Sequence, residues 1–114
     1  MASQVDLEIY QGDDYAAEVT VLNEDGTPAD LTGYTAQSQI RVNTADASPS
    51  GVAQFATAIA GNVITISLMH TVTKDLTKSS YVWDLQVING VGWITTLLAG
   101  QVQMTKEVTR VYAV

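Results

Sequence analysis

The chain has no cysteine. Disulfides, thiolate metal sites and cysteine nucleophiles are therefore excluded. Basic residues are scarce: five Lys and Arg stand against twelve Asp and Glu, a net charge of -7 with a pI near 4.2. Nucleic-acid binding needs a basic face to displace counterions, and five cations do not build one, so no nucleic-acid partner is expected. A single histidine, His70, rules out a His-rich metal site. No apolar run approaches the roughly 18–20 residues of a membrane helix, so no membrane partner is expected either. Residues 1–6 lack the basic start and apolar stretch of a secretion signal, which leads us to expect folding in the cytoplasm. Only 15% of residues are charged, yet 46% are hydrophobic, which excludes a disordered chain.

What is present points to sheet. Thirty-five of the 114 residues are Val, Thr or Ile, while Lys and Glu together number seven. Branched side chains are stiff at the first torsion and pack well on a pleated surface. The length suits one domain, residues 1–114, with a core of its own.

Period-two alternation recurs along the chain. Val5, Leu7 and Ile9 alternate with polar residues and predict a first strand. Gln11 to Asp14 is a turn, and Tyr15 to Leu22 is a second strand. Asp25-Gly26-Thr27-Pro28 is a strong turn. Leu31 drops inward from a short connector, and Tyr34 to Val42 alternates again. Asn43 to Gly51 reads as a surface loop. Val52 to Ile59 and Val63 to Leu68 predict a hairpin about Gly61. Residues 69–79 lack the alternation, and Thr73 to Leu76 suggests one helical turn that buries Leu76. Tyr81, Trp83, Leu85 and Val87 form the clearest inward face. A turn at Asn89 to Gly92 precedes strands at Trp93 to Ala99 and Gln101 to Val108, with a bulge or bend expected at Gly100. The pattern predicts an all-β, antiparallel, immunoglobulin-like β-sandwich of about seven to nine strands, with a small barrel as the alternative.

Chemistry-bearing motifs are few. Ser79 and Ser80 lack a nucleophile-elbow pattern, and no Gly-rich phosphate loop is present. His70, beside a turn, reads as a solvated side chain rather than a base. Asp13, Asp14, Asp25 and Asp30 invite the idea of calcium held by turns at one end of a sandwich. Asp also serves as an ordinary turn residue, and no cofactor is expected. Trp83 reads as core, whereas Trp93 is either packed across its hairpin or an exposed anchor for a partner or sugar ring.

Several strings occur in a telling order: Gln11-Gly12-Asp13-Asp14-Tyr15, Asp25-Gly26-Thr27-Pro28, Asp30-Leu31-Thr32-Gly33, Thr73 to Leu76, Tyr81-x-x-Asp84-Leu85, and Gly100-x-Val102 leading to Val108-Thr109. Over residues 4–110 this resembles the immunoglobulin-like domain of phage baseplate upper proteins and related small structural proteins of tailed phages. Ser79-Ser80 departs from the turn glycine common in that family. The resemblance carries no catalytic residues. It implies a non-enzymatic virion protein made in the host bacterial cytoplasm. Its partners would be other virion structural proteins, in a symmetric homo-oligomer. A tail or baseplate adaptor, or a fibre anchor, is the leading expectation. A capsid decoration protein is the alternative within that class, and a carbohydrate-binding module the alternative outside it. Partner contact is expected at Val5, Leu7 and Ile9 of the first strand, at Val91 and Trp93 of the late hairpin, and at Val111, Tyr112 and Val114 of the tail, with the 43–51 loop as a further candidate.

Overall fold

A computed structural model describes residues 3–43 and 52–106. Among these residues the alternating stretches form β1 (Ser3–Gln4), β2 (Leu7–Tyr10), β3 (Tyr15–Thr20), β4 (Thr35–Arg41), β5 (Ala53–Gln54), β6 (Ala56–Ala60), β7 (Val63–Leu68), β8 (Ser80–Ile88) and β9 (Ile94–Thr105), with one helical turn, α1 (His70–Thr73). The larger sheet has the order β1-β9-β8-β4-β5, and β2 also pairs with β9; the smaller has the order β3-β7-β6. The protein is an all-β sandwich.

One part of the expected architecture is corrected. The smaller sheet and the β9-β8-β4-β5 run are antiparallel as expected, but β1 and β2 run parallel to β9, with Ser3 beside Leu98 and Leu7 beside Val102, so the larger sheet is mixed. Alternation fixes which side chains face inward but not the direction of the neighbouring strand. Parallel neighbours need a long crossover, and here everything between β2 and β9 serves as one.

The inner faces obey the period-two rule. Tyr81, Trp83, Leu85 and Val87 of β8 are all buried, as are Ile64, Ile66 and Leu68 of β7. Ile9, Ile40 and Val102 join the β8 residues on the inner face of the larger sheet, and like Leu85 they have no exposed surface. Fully burying side chains of this kind is worth about 1.5–3 kcal/mol each, so the core lies along this seam. The buried Ser38 hydroxyl donates to the Asp84 carbonyl at 2.6 Å, so its polar atom is satisfied.

Phe55 breaks the strand expected over 52–59. Ala53 and Gln54 pair with β4, whereas Ala56–Ala60 pair with β7 in the other sheet. The Phe55 N–H still donates to the Ser38 carbonyl at 2.9 Å, and the Thr57 hydroxyl to the Ala36 carbonyl at 3.0 Å. The chain thus passes between sheets while closing that flank. The Phe55 ring turns inward, 6.0 Å from Trp83 edge-on and 6.3 Å from Tyr15.

Two further local expectations shift. The bulge lies at Leu97, where pairing passes from Leu85–Leu98 to Gln86–Thr96, and β9 runs unbroken through Gly100. Gly100 is instead a crossing point. A Cβ there would fall on the Val5 carbonyl oxygen and lie 2.9 Å from Asp6 Oδ1. The Val5 carbonyl accepts the Trp83 indole N–H at 2.8 Å, and Asp6 Oδ1 accepts the Gln101 N–H at 3.0 Å. The helical turn, expected at Thr73–Leu76, sits three residues earlier, with Leu76 buried just beyond it. Thr73 ends the turn and is itself fully buried. Its hydroxyl accepts the Gly12 N–H at 3.1 Å and donates to the Asp13 carbonyl at 2.8 Å, locking α1 to the β2–β3 turn.

Candidate protein-interaction surface

The sandwich has two unlike ends. One, the hairpin end, carries the 21–34 connector and the β6–β7 and β8–β9 turns. The other, the helix end, carries the β2–β3 turn, α1 and the 74–79 segment. The register sets this arrangement: Thr20 pairs with Val63, Thr35 with Ile88 and Ile88 with Ile94, while Tyr10 pairs with Thr105 and Tyr15 with Leu68.

At the hairpin end, Asn89 organises the β8–β9 connection. Its side-chain oxygen accepts the N–H groups of Val91 and Trp93, each at 3.0 Å. Its own N–H donates to the Trp93 carbonyl at 3.0 Å, and the Gly92 N–H returns to the Asn89 carbonyl at 3.1 Å. Gly92 supplies the positive φ, +91°, that closes the loop. With its backbone pinned in this way, the hairpin holds three large apolar side chains in solvent. Val91 is 80% exposed, Trp93 73% and Ile94 59%. Leu22, also exposed, lies at the same end beside the 23–28 turn. There Asp25 Oδ1 accepts the Thr27 hydroxyl at 2.6 Å and the Thr27 N–H at 3.0 Å. Asp30 Oδ1 accepts the Thr32 N–H at 3.0 Å. Hydrogen bonds from these threonines hold both carboxyls below the usual Asp value.

The helix end is built differently. Asp14 Oδ1 accepts the His70 N–H at 2.6 Å and lies 2.9 Å from His70 Nδ1. The backbone bond, then the ring, keep the Asp14 carboxyl below its ordinary value. His70 is exposed, as expected, but tied to this partner. Lys74, Lys78 and Lys106 sit at this end, with the Lys106 ammonium donating to the Thr77 carbonyl at 3.2 Å. The acidic turns are therefore split: Asp13 and Asp14 are at the helix end, Asp25 and Asp30 at the other. The single calcium-holding end imagined from the sequence does not exist. Among the described residues no three His, Asp or Glu side chains converge as a metal site.

The expected contact residues separate clearly. Trp93 and Val91 stand at the exposed tip, so Trp93 does not pack across its hairpin as one of its two sequence readings had it. Val5 is 38% exposed and Leu7 half-buried, but Ile9 has no exposed surface. Ile9 is a core residue: it stands in register beside the buried Met104 and shares its inward face. Expected contacts at Val111, Tyr112 and Val114, and at residues 44–51, lie outside the described residues. Sequence reasoning missed Ile94 at the tip and the exposed Leu22 elsewhere on the same end. The available signal was that each adjoins a turn, where alternation no longer implies burial. On the outer face of the larger sheet, Asp84 lies in a shallow depression with Gln39, Arg41, Val82 and Gln101. Partial burial pushes its carboxyl up, opposed by the Arg41 charge.

No protein-family model and no curated protein matches this chain.

Proposed function

We propose that this chain is a non-enzymatic structural protein of a tailed-phage virion, a tail or baseplate adaptor or fibre-anchoring component that works by protein–protein assembly. The observation that carries the assembly reading is the pinned apolar tip. Val91, Trp93 and Ile94 together form an anchor whose burial in a partner returns apolar area at little entropic cost, since Asn89 already fixes the loop.

The immunoglobulin-like part of the reading draws support from strand order. The β3-β7-β6 sheet corresponds to strands B, E and D, and β9-β8-β4-β5 to G, F, C and C′. The Tyr81 hydroxyl accepts the Lys78 N–H at 3.0 Å, the arrangement of a tyrosine corner before strand F. The positions of the motif strings behind the phage resemblance support the reading. Gln11 to Asp14 joins the first strands, Asp30 to Gly33 leads into β4, and Tyr81 to Leu85 lies in β8 with its aromatics inward.

The test is gold-labelled antibody against this protein on intact particles viewed by electron microscopy. Label at the tail tip or along the tail is the expected result. Label over the capsid overturns the tail assignment in favour of a decoration protein. No label where the epitopes are shown to be accessible overturns the virion reading. A saturable Trp fluorescence shift with millimolar sugar would then identify a carbohydrate-binding module.

A further inference from the structure

We infer that copies of this chain associate head to tail, the apolar tip of one seated on the helix end of the next. This deepens the assembly reading and rests on it only in treating the tip as a protein contact.

Charge selects this orientation. The hairpin end, which holds the tip, also carries Glu24, Asp25 and Asp30 and, among the described residues, no Lys or Arg. All three lysines of the chain, Lys74, Lys78 and Lys106, lie at the helix end. Asp13, Asp14 and Asp75 share that end, so among the described residues it is near neutral rather than basic. The difference between the ends, rather than an excess of cations, sets the direction. Tip-to-tip pairing would bring two sets of three carboxylates together around a desolvated contact, and like-charge juxtaposition is a strong bar to association. Head-to-tail pairing sets those carboxylates against an end whose lysines offset its own carboxylates, which removes that repulsion.

Apolar area agrees. The helix end has its own exposed large side chains, Met69 at 64% and Tyr10 at 51%. Met is the adaptable side chain that receives an aromatic anchor well. The molecule is 55 × 28 × 21 Å, so an end face spans 28 × 21 Å. That is on the order of 600 Å², somewhat below the roughly 800 Å² per partner of a standard stable interface. A single contact is therefore weak. A heterologous contact repeats, however, and closes into a ring or grows into a filament, so each added copy gains a second neighbour.

The experiment uses the whole chain with a photoreactive benzoylphenylalanine in place of Trp93. A mixture of isotopically light and heavy protein is irradiated at millimolar concentration and low salt, and the linked peptides are mapped by mass spectrometry. Mixed-isotope links from the tip to Tyr10 or to residues 69–78 are expected. Sedimentation of the unmodified protein should show weak, salt-sensitive association. Trp93→Ser should weaken it by about thirtyfold or more, as for a hot-spot anchor. Glu24→Lys and Lys78→Glu should each weaken it by about fivefold, and the two in one chain should restore it. Links from tip to tip, a protein that stays monomeric throughout, or failure of the double charge exchange to restore association each overturn the inference. Particle labelling with a strictly monomeric protein would overturn head-to-tail pairing and leave the virion reading standing. Head-to-tail links without particle labelling would do the reverse.

Discussion

Gly100→Ala is the sharpest single test of how the N-terminal strands are held. The new Cβ would fall on the Val5 carbonyl oxygen, 2.7 Å from its carbon and 2.9 Å from Asp6 Oδ1. These atoms belong to backbone and to a short, bonded side chain, so the clash cannot be relieved by a rotamer change. The segment between β1 and β2 must lift. Lifting it strains the Val5 N–H bond to the Ala99 carbonyl, now 3.0 Å, and the indole bond of the buried Trp83 to Val5, now 2.8 Å. Overpacking of this kind costs about 1–3 kcal/mol. A buried indole N–H left without its acceptor adds about 1–3 kcal/mol. The expected loss is roughly 2–6 kcal/mol out of a total on the order of 5–15 kcal/mol. Tm should fall by about 4 °C for each kcal/mol. Urea unfolding in a Trp93→Phe background isolates the fluorescence of Trp83, the residue at the clash. Gly90→Ala is the matched control. Nothing lies within 4 Å of its Cβ and its φ is not positive, so its stability should stay within about 0.5 kcal/mol of the parent. If Gly100→Ala unfolds at the parent's midpoint, or Gly90→Ala loses as much, the close-crossing argument is wrong.

The other predictions concern the remaining joints. Thr73→Val keeps the shape but removes the hydroxyl shared between Gly12 and Asp13, and should cost about 1–3 kcal/mol in urea unfolding. Thr73→Ser should retain most of that stability. Tyr81→Phe leaves the Lys78 N–H without its acceptor and should cost about 1 kcal/mol, measured the same way. The lowered carboxyls of Asp14, Asp25 and Asp30 stabilise the fold above the ordinary Asp value of 3.8, and that contribution is lost as pH falls through their folded values. Asp84 is raised, so its contribution is present below 3.8 and disappears as pH rises through its folded value. Asp84→Asn should therefore gain stability relative to the parent between mildly acidic and neutral pH, read from unfolding midpoints across a pH series.

Much of the sandwich was legible because burial on a pleated strand repeats every second residue. The inward faces of β7 and β8 follow directly, and so does the burial of Leu31 and Leu76. The sheet change at Phe55 was not legible, since the same alternation runs through residues on both sides of it. Nor was the parallel pairing of β1 and β2, which depends on a partner about 95 residues away, Ser3 with Leu98. At the tip, Trp93 was recognisable as a candidate because it follows a Gly-rich turn. Its exposure was not, because that follows from where β4 begins: Thr35 is already opposite Ile88, and β4 does not reach beyond it.

The parallel seam between the first and last strands has a mechanical consequence. Tension applied through Ser3 and Lys106 drags β1 and β2 toward the hairpin end and β9 toward the helix end. The hydrogen bonds of this seam are then loaded together in shear rather than opened one after another. The Val5–Trp83 bond and the close fit at Gly100 resist the same displacement. An antiparallel hairpin such as β6–β7, pulled at its open ends, would instead unzip. Drawn apart along the strands from Ser3 and Lys106, the sandwich therefore resists through a whole row of bonds at once.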